Sequence, residues 1–146
     1  MTREYEMVRE FMRTFGQEVP SELKMPDRDT VELRTQLSGE EVVEIDEAEN
    51  VTDYAKESID LLYVALGNVI AAGITPEQLE RGFAEVHRSN MSKLWSATDV
   101  FNGIPDGASS EKVDVGLYIV RRADGKIIKP PSYSPANLRP ILEGGE

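Results

Sequence analysis

Apolar residues recur every three or four positions through the first half of the chain, which is the period of amphipathic helices. This spacing predicts one helix over residues 3–15, which Gly16 ends, and a second over about residues 29–49. A loop that contains Pro20 and Pro26 connects them. The predicted apolar stripes are Tyr5, Val8, Met12 and Phe15 in the first helix, and Val31, Leu37, Val42 and Ile45 in the second.

A third helix is predicted over residues 53–72, where the chain is almost entirely apolar. Residues 61–76 contain no charged side chain, so we expect this helix to lie at the centre of the core. Asn50 or Thr52 is its expected N-cap, and Gly73 ends it.

The start of a fourth helix is marked by a strong local signal. Thr75 caps it, Pro76 suits the first helical position, and Gln78 completes a capping box. The helix is predicted to run to about Trp95. The side chains that it is expected to bury are Leu79, Phe83, Val86, Met91 and Leu94.

The pattern changes after the fourth helix. Residues 96–112 are rich in Gly, Ser and Asp, which predicts a mobile loop. Residues 113–121 have strand character, and a turn at residues 123–125 leads into residues 126–129, which predicts a small β-hairpin. A short terminal helix is expected over residues 134–142.

Length and composition narrow the possible classes of protein. A chain of 146 residues fits one domain, so we predict a mainly α fold over residues 1–146, a four-helix-type bundle with a small C-terminal β-hairpin and a short terminal helix. The absence of cysteine excludes disulfides and zinc–thiolate sites, and a net charge of −11 argues against a nucleic-acid partner. The N-terminus lacks the apolar core of a signal peptide, and residues 61–76 are too short to cross a bilayer of about 30 Å. We therefore expect a cytoplasmic protein without a membrane partner.

Two acidic clusters carry the clearest chemical signal. Glu41 and Glu44 lie one helical turn apart, and so do Glu57 and Asp60. If the second and third helices run antiparallel, the four carboxylates can meet at one point, where they repel one another unless a cation neutralises them. Lys56 is the only basic residue between positions 37 and 80. Hard oxygen ligands of this kind suit Mg²⁺, with Mn²⁺ as a possible substitute.

Acidic residues at helical spacing can also have simpler roles. A single pair of glutamates one turn apart is usually a solvated face, and Glu47 and Glu49 fit that description. A ferritin-like di-iron site requires Glu-x-x-His motifs, but His87 is the only histidine and Ala84 stands three residues before it. Neither an EF-hand loop nor a GxxxxGK[ST] phosphate loop is present. An all-carboxylate site therefore points to phosphoryl chemistry.

Basic and amide side chains that suit phosphate groups occur in two later segments. Asn90 and Lys93 lie one turn apart at the end of the fourth helix, and Lys126 and Lys129 follow in the predicted hairpin. A single lysine is usually solvated, and His87 is more often a structural histidine. The spacing alone leaves both roles open for Asn90.

The motif EExxE, twelve residues, ExxD resembles that of the MazG-type all-α nucleoside triphosphate pyrophosphohydrolases, whose relatives include dimeric dUTPases and phosphoribosyl-ATP pyrophosphohydrolase. The segments at residues 85–93 and 122–130 resemble the small single-domain members, including the dUTPase-like branch. The resemblance implies hydrolysis between the α and β phosphates by a metal-activated water, giving a nucleoside monophosphate and pyrophosphate. It also implies a homodimer or a dimer of dimers.

Residue roles follow from this resemblance position by position. Glu41, Glu44, Glu57 and Asp60 match the residues that bind Mg²⁺. Glu40 matches the first acid of the motif, so Glu40 and Glu41 are the candidate catalytic residues. Base recognition cannot be assigned from the motif, although Phe11, Phe15, Tyr63 and Asn68 could line a pocket. The candidate substrate-binding residues are Asn68, Asn90, Lys93, Lys126 and Lys129.

Residues 96–120 look like an insertion between the two later segments, and they leave the exact substrate open. Two alternatives to an enzyme are compatible with the same residues. One is a non-catalytic helical protein that senses nucleotide or metal. The other is an acidic interaction module whose stability does not respond to divalent ions.

Overall fold

Four helices occupy the N-terminal part of the chain, as the hydrophobic pattern predicts. They are α1 (Thr2–Thr14), α2 (Arg28–Glu47), α3 (Val51–Ala71) and α4 (Pro76–Met91). Shorter elements follow: β1 (Trp95–Ser96), α5 (Ala97–Phe101), β2 (Ser109–Asp114), β3 (Leu117–Arg121) and α6 (Arg139–Leu142). The mainly α fold with a small sheet and a short terminal helix is confirmed.

This computed structural model describes residues 1–144, so the last two residues of the predicted 1–146 domain lie outside the described part. Contacts divide the chain into two compact units. The first unit contains residues 1–80 and 142–144, and the second contains residues 81–141. The single domain stays a prediction.

Helix starts are determined by local hydrogen bonds. Asp27 accepts one from the backbone N–H of Thr30 at 2.7 Å and caps α2. Asn50 rather than Thr52 caps α3. The predicted capping box of α4 is present, with Thr75 and Gln78 bonded reciprocally.

The core of the first unit lies where α1 packs against α3. Its buried residues are Tyr5, Val8, Met12, Leu66, Ile70 and Ala71. The Tyr5 hydroxyl donates to the carbonyl oxygen of Ile74 at 2.9 Å, so this buried polar group is satisfied. The apolar α3 therefore does occupy the core, as expected.

Several side chains that the sequence predicts to be buried are exposed. In α4, Phe83 is 61% exposed, and Val86 and Met91 are also exposed. In α2, Val42 is 55% exposed and no residue is fully buried. Phe15 lies beyond the end of α1, exposed against the ring of Phe11. Helical spacing identifies residues that share a face, but it does not say what covers that face.

The region after α4 is more regular than predicted. Residues 96–112, expected to form a mobile loop, contain α5 and most of β2, and Ser96 and Asp99 form a capping box that starts α5. The fourth helix ends at Met91 rather than at about Trp95, and Trp95 belongs to β1. The buried Trp95 indole donates to the carbonyl oxygen of Ile128 at 2.8 Å.

The three strands form an antiparallel sheet in the order β1-β3-β2. The turn between β2 and β3 lies at Val115 and Gly116, and Gly116 has a φ of 72°. The predicted turn at residues 123–125 is present, since the backbone N–H of Arg122 donates to the carbonyl oxygen of Lys126 at 2.9 Å. The strand predicted over residues 126–129 is not formed, because a single isolated bridge, Arg121 with Ile127, is present in this described segment. The terminal helix is also shorter than predicted and begins at Arg139.

Among the described residues, no single helix combines the length and apolar composition that a membrane crossing requires. Only α3 and α4 counted together, across the bend between them, reach that composition.

Candidate metal centre

The acidic clusters meet where α2 packs against α3. One carboxylate oxygen each from Glu41, Glu44 and Glu57 lies within 4.8 Å of the others. Farther along the pair, Arg34 of α2 meets Gly67 of α3. Since Glu44 lies by Glu57 while Arg34 lies by Gly67, the two helices run antiparallel, as the predicted convergence requires.

This cluster is short of positive charge. Oxygen Oε2 of Glu41 is buried without a hydrogen-bond partner among the described residues. Burial raises the pKa of Glu41, and the nearby charges of Asp60 and Glu57 raise it further. A hydrogen bond and repulsion from Glu57 raise the pKa of Glu44. The cluster is therefore more stable when a proton or a bound cation neutralises part of its negative charge than when every carboxylate is ionised and unpaired.

Lys56 supplies part of the missing charge. Its ammonium nitrogen lies 2.8 Å from Oε2 of Glu57 and 2.9 Å from Oδ2 of Asp60. The pKa of Lys56 is raised by these two bonds. The structure thus places Asp60 beside the three glutamates but pairs it with Lys56. The sequence shows Lys56 as the nearest cation, but it does not show which acids it contacts.

The donor set fits a divalent cation. All the converging groups are carboxylate oxygens, which are the ligands that Mg²⁺ and similar hard cations prefer. The orphaned oxygen of Glu41 gives a second reason, because a bound cation would satisfy a buried group that has no other partner among the residues described.

Two other predicted residues lie on the same pair of helices. Glu40 is exposed and accepts a hydrogen bond from the side chain of Gln36 at 3.0 Å. The Asn68 amide lies 3.4 Å from the hydroxyl of Ser38, and both residues line a cavity of about 380 Å³. Asn68 thus lies next to a cavity, and its role in base recognition stays a prediction.

A comparison with known families agrees with this arrangement of helices and acids. A family model for phosphoribosyl-ATP pyrophosphohydrolase matches residues 8–90, more than half of the 146 residues. The chain belongs to the phosphoribosyl-ATP pyrophosphohydrolase family. It is one family of the MazG-like all-α pyrophosphohydrolase superfamily, and its activity is hydrolysis of an anhydride. No individual curated protein matches the chain significantly.

Membership agrees with the geometry of the acidic cluster. Pyrophosphohydrolases of the phosphoribosyl-ATP family are typically dependent on a divalent metal, and the match includes every acidic residue of the cluster. The match ends at Asn90, so Lys93 and the later lysines lie outside it.

The remaining candidate residues belong to the second unit of this family member. The Lys93 ammonium donates to the side-chain oxygen of Asn90 at 2.7 Å. Lys129 lies over the ring of Tyr133, 4.3 Å from its centre, and the charges of Lys129 and Lys93 help to lower the pKa of Tyr133 after its bond to Ser89. The charges of Lys93 and Lys129 therefore both act on Tyr133.

Lys126 has a different environment from these two lysines. Its backbone N–H donates to Asp124 at 3.1 Å, and Asp124 is also paired with Arg122. Nothing in the sequence pattern singles out Tyr133 as a neighbour of the other lysines.

Proposed function

We propose that the protein is a Mg²⁺-dependent pyrophosphohydrolase that cleaves a nucleoside or deoxynucleoside triphosphate to the monophosphate and pyrophosphate. One observation carries the proposal: three carboxylates converge, and one of them, that of Glu41, has a buried oxygen without a hydrogen-bond partner among the described residues. Membership of a pyrophosphohydrolase family supports the same reaction class. Mn²⁺ is the expected substitute metal.

In this proposal Glu41, Glu44 and Glu57 hold the cation, and Asp60 joins them once Lys56 releases it. The bound ion would neutralise phosphate charge and lower the pKa of the attacking water. Glu40 and Glu41 orient that water toward the α phosphorus. Attack there breaks the anhydride bond between the α and β phosphates, and the pyrophosphate group leaves.

The phosphates require donors as well as a cation. We assign this role to Asn90, Lys93, Lys126 and Lys129, whose amide and ammonium groups suit phosphate oxygens. The description of the matched family adds a specific candidate substrate, phosphoribosyl-ATP. It carries the same triphosphate, so its cleavage would need the same metal centre.

The reaction is tested with a panel of dNTPs, NTPs and phosphoribosyl-ATP in the presence of Mg²⁺. We expect release of pyrophosphate, and we expect Glu41→Gln and Asp60→Asn to abolish it while the circular dichroism spectrum is retained. Glu47→Gln is the matched control, since Glu47 is an exposed glutamate of the same helix outside the cluster. Orthophosphate as the sole product would contradict the cleavage site. Tight nucleotide binding without turnover would instead support a sensing protein.

We further propose that the protein is a homodimer or a dimer of dimers. Apolar side chains on α2 and α3 support this, since Val42 is 55% exposed and Ile59 is 64% exposed. Sedimentation equilibrium is expected to give at least twice the monomer mass of 16.3 kDa. A single species at the monomer mass would contradict the proposal.

A further inference from the structure

A cavity of about 380 Å³ opens between α2 and α3, away from the acidic cluster. This volume is within the usual range of small-molecule pockets, about 300–1,000 Å³. The lining is mixed, with apolar side chains and a few polar groups. The polar residues in the lining are Thr30, Arg34, Thr35, Ser38 and Asn68.

Of the described residues that line this cavity, only Arg34 is charged. Its guanidinium is half-buried and donates to the side-chain oxygen of Gln17 at 2.9 Å, but it forms no ion pair with any described residue. Burial, with no nearby carboxylate to oppose it, lowers the pKa of Arg34. Glu18 and Arg34 both line a second, smaller cavity, but the carboxylate of Glu18 is paired with Lys24. A half-buried cation without an acid is unusual in a chain of net charge −11.

Gly67 leaves the space that the guanidinium occupies. A methyl group at this position of α3 would overlap Nη1 of Arg34. The close approach of Arg34 to the backbone of α3 therefore depends on the missing side chain.

The cavity also lies at a useful distance from the acidic cluster. Arg34 and Glu41 are seven residues apart on α2, two helical turns, so they lie on the same face about 10 Å apart along the axis. Ser38, which also lines the cavity, is only one turn from Glu41. A nucleotide with its phosphates at the carboxylates would thus extend its other end along α2 into the cavity.

We propose that this cavity binds the end of the substrate opposite the triphosphate, and that Arg34 selects substrates that place an oxygen acceptor there. A guanidinium only donates hydrogen bonds, so it pairs with a carbonyl or phosphate oxygen but not with an exocyclic amino group. Two sources offer such an oxygen: the carbonyl group of an oxo base, or the additional phosphate of a phosphoribosyl group. This inference rests on the proposed function.

The test compares ITP with ATP, because hypoxanthine has a carbonyl group where adenine has an amino group, and adenine carries no oxygen. Phosphoribosyl-ATP is the third substrate and distinguishes the phosphate source from the carbonyl source. The values of kcat/KM are measured with Mg²⁺ for the full chain and its variants. Arg34→Met removes the charge, Arg34→Lys keeps it without the planar donor fork, and Gly67→Ala displaces the guanidinium. Gly39→Ala is the control, since a methyl group at Gly39 of α2 meets nothing within 4 Å.

We expect the wild type to favour ITP or phosphoribosyl-ATP over ATP by at least tenfold. Arg34→Met and Gly67→Ala should remove that preference, because kcat/KM for ITP or phosphoribosyl-ATP falls at least about tenfold relative to kcat/KM for ATP, whereas Gly39→Ala keeps it. An equal loss for all substrates in Arg34→Met, or no preference in the wild type, would overturn the inference and leave the proposed function standing.

If no triphosphate is cleaved, the proposed function fails, and calorimetry with IMP, phosphoribosyl-AMP and AMP decides the inference. Tighter binding of IMP or of phosphoribosyl-AMP than of AMP, abolished by Arg34→Met, supports it. Equal binding of all three, or no binding, overturns it. Melting curves show whether each variant is folded.

Discussion

The ammonium nitrogen of Lys56 lies 2.9 Å from Oδ2 of Asp60, one turn later on α3. The acidic cluster therefore has a cation of its own next to the point where the glutamates converge. A divalent ion that recruits Asp60 must displace this ammonium, so Lys56 competes with the metal.

Lys56→Met should strengthen metal binding for this reason. We expect the dissociation constant for Mn²⁺, measured by calorimetry, to fall by about tenfold. The metal-free variant should melt at a lower temperature than the wild type, because the carboxylates lose their partner. Arg28→Met, which removes an exposed cation paired with Glu32 on α2, should change neither value. Unchanged or weaker Mn²⁺ binding in Lys56→Met would contradict the competition.

Acid should weaken the second unit through Glu85. Its carboxylate accepts bonds from Arg88 at 2.7 and 2.8 Å and from the backbone N–H of Asn137 at 2.9 Å. These bonds, those of Arg88 first, lower the pKa of Glu85 from 4.5 to about 2. A lowered folded-state pKa gives stability that is complete above pH 4.5 and is lost as the pH falls through 2.

Urea midpoints measured at a series of pH values test this dependence. Glu85→Gln should lower the midpoint at neutral pH, and its difference from the wild type should shrink as the pH approaches 2. Glu80→Gln, at an exposed position earlier in α4, is expected to follow the wild type throughout. A Glu85→Gln difference that stays constant with pH would show that the charge of Glu85 does not stabilise the fold.

Two glycines beyond helix ends share a backbone conformation but not their surroundings. Gly16 and Gly73 both have a φ of 71°, which disfavours any side chain. A methyl group at Gly16 meets nothing, whereas at Gly73 it would overlap the backbone carbonyl of Glu22. Gly16→Ala should cost about 1 kcal/mol of unfolding free energy. Gly73→Ala should cost more, and equal urea midpoints for the two variants would contradict the predicted overlap.

The Ser89 and Tyr133 hydroxyls lie 3.0 Å apart, and Ser89 is only 3% exposed. Tyr133→Phe should lower the urea midpoint, because it removes the partner of a buried hydroxyl. Adding Ser89→Ala should recover part of the loss, since a pair removed together leaves no orphaned group. A double variant whose losses simply add would show that the two hydroxyls do not depend on each other.

Features that depend on neighbours along the chain were predictable. Asn50 capping α3 and the Thr75–Gln78 box are contacts between residues two or three positions apart. The acidic pairs follow from the pitch of one helix, so the residues Glu41 and Glu57 stand out in the sequence alone.

Features that depend on how elements pack were not predictable. The guanidinium of Arg34 lies against Gly67 because of the register in which α2 packs against α3. That register cannot be predicted from a local sequence pattern. The sequence predicts a strand through Gly116, because the apolar residues around it form one continuous run, whereas in the structure Gly116 lies in the turn between β2 and β3. Both glycine turns are formed: β2 pairs with β3 across the turn at Gly116, and one bridge joins Arg121 to Ile127 across the turn at Gly125.

Trp95 is the only tryptophan of the chain, and it is buried in the second unit with its indole bonded to Ile128. Its fluorescence emission consequently reports on that unit alone. The far-ultraviolet signal comes mainly from α1, α2 and α3, which all belong to the first unit. One denaturation experiment can be followed by both tryptophan fluorescence and far-ultraviolet circular dichroism. Its two transitions would show whether the helices of the acidic cluster unfold together with the sheet or independently of it.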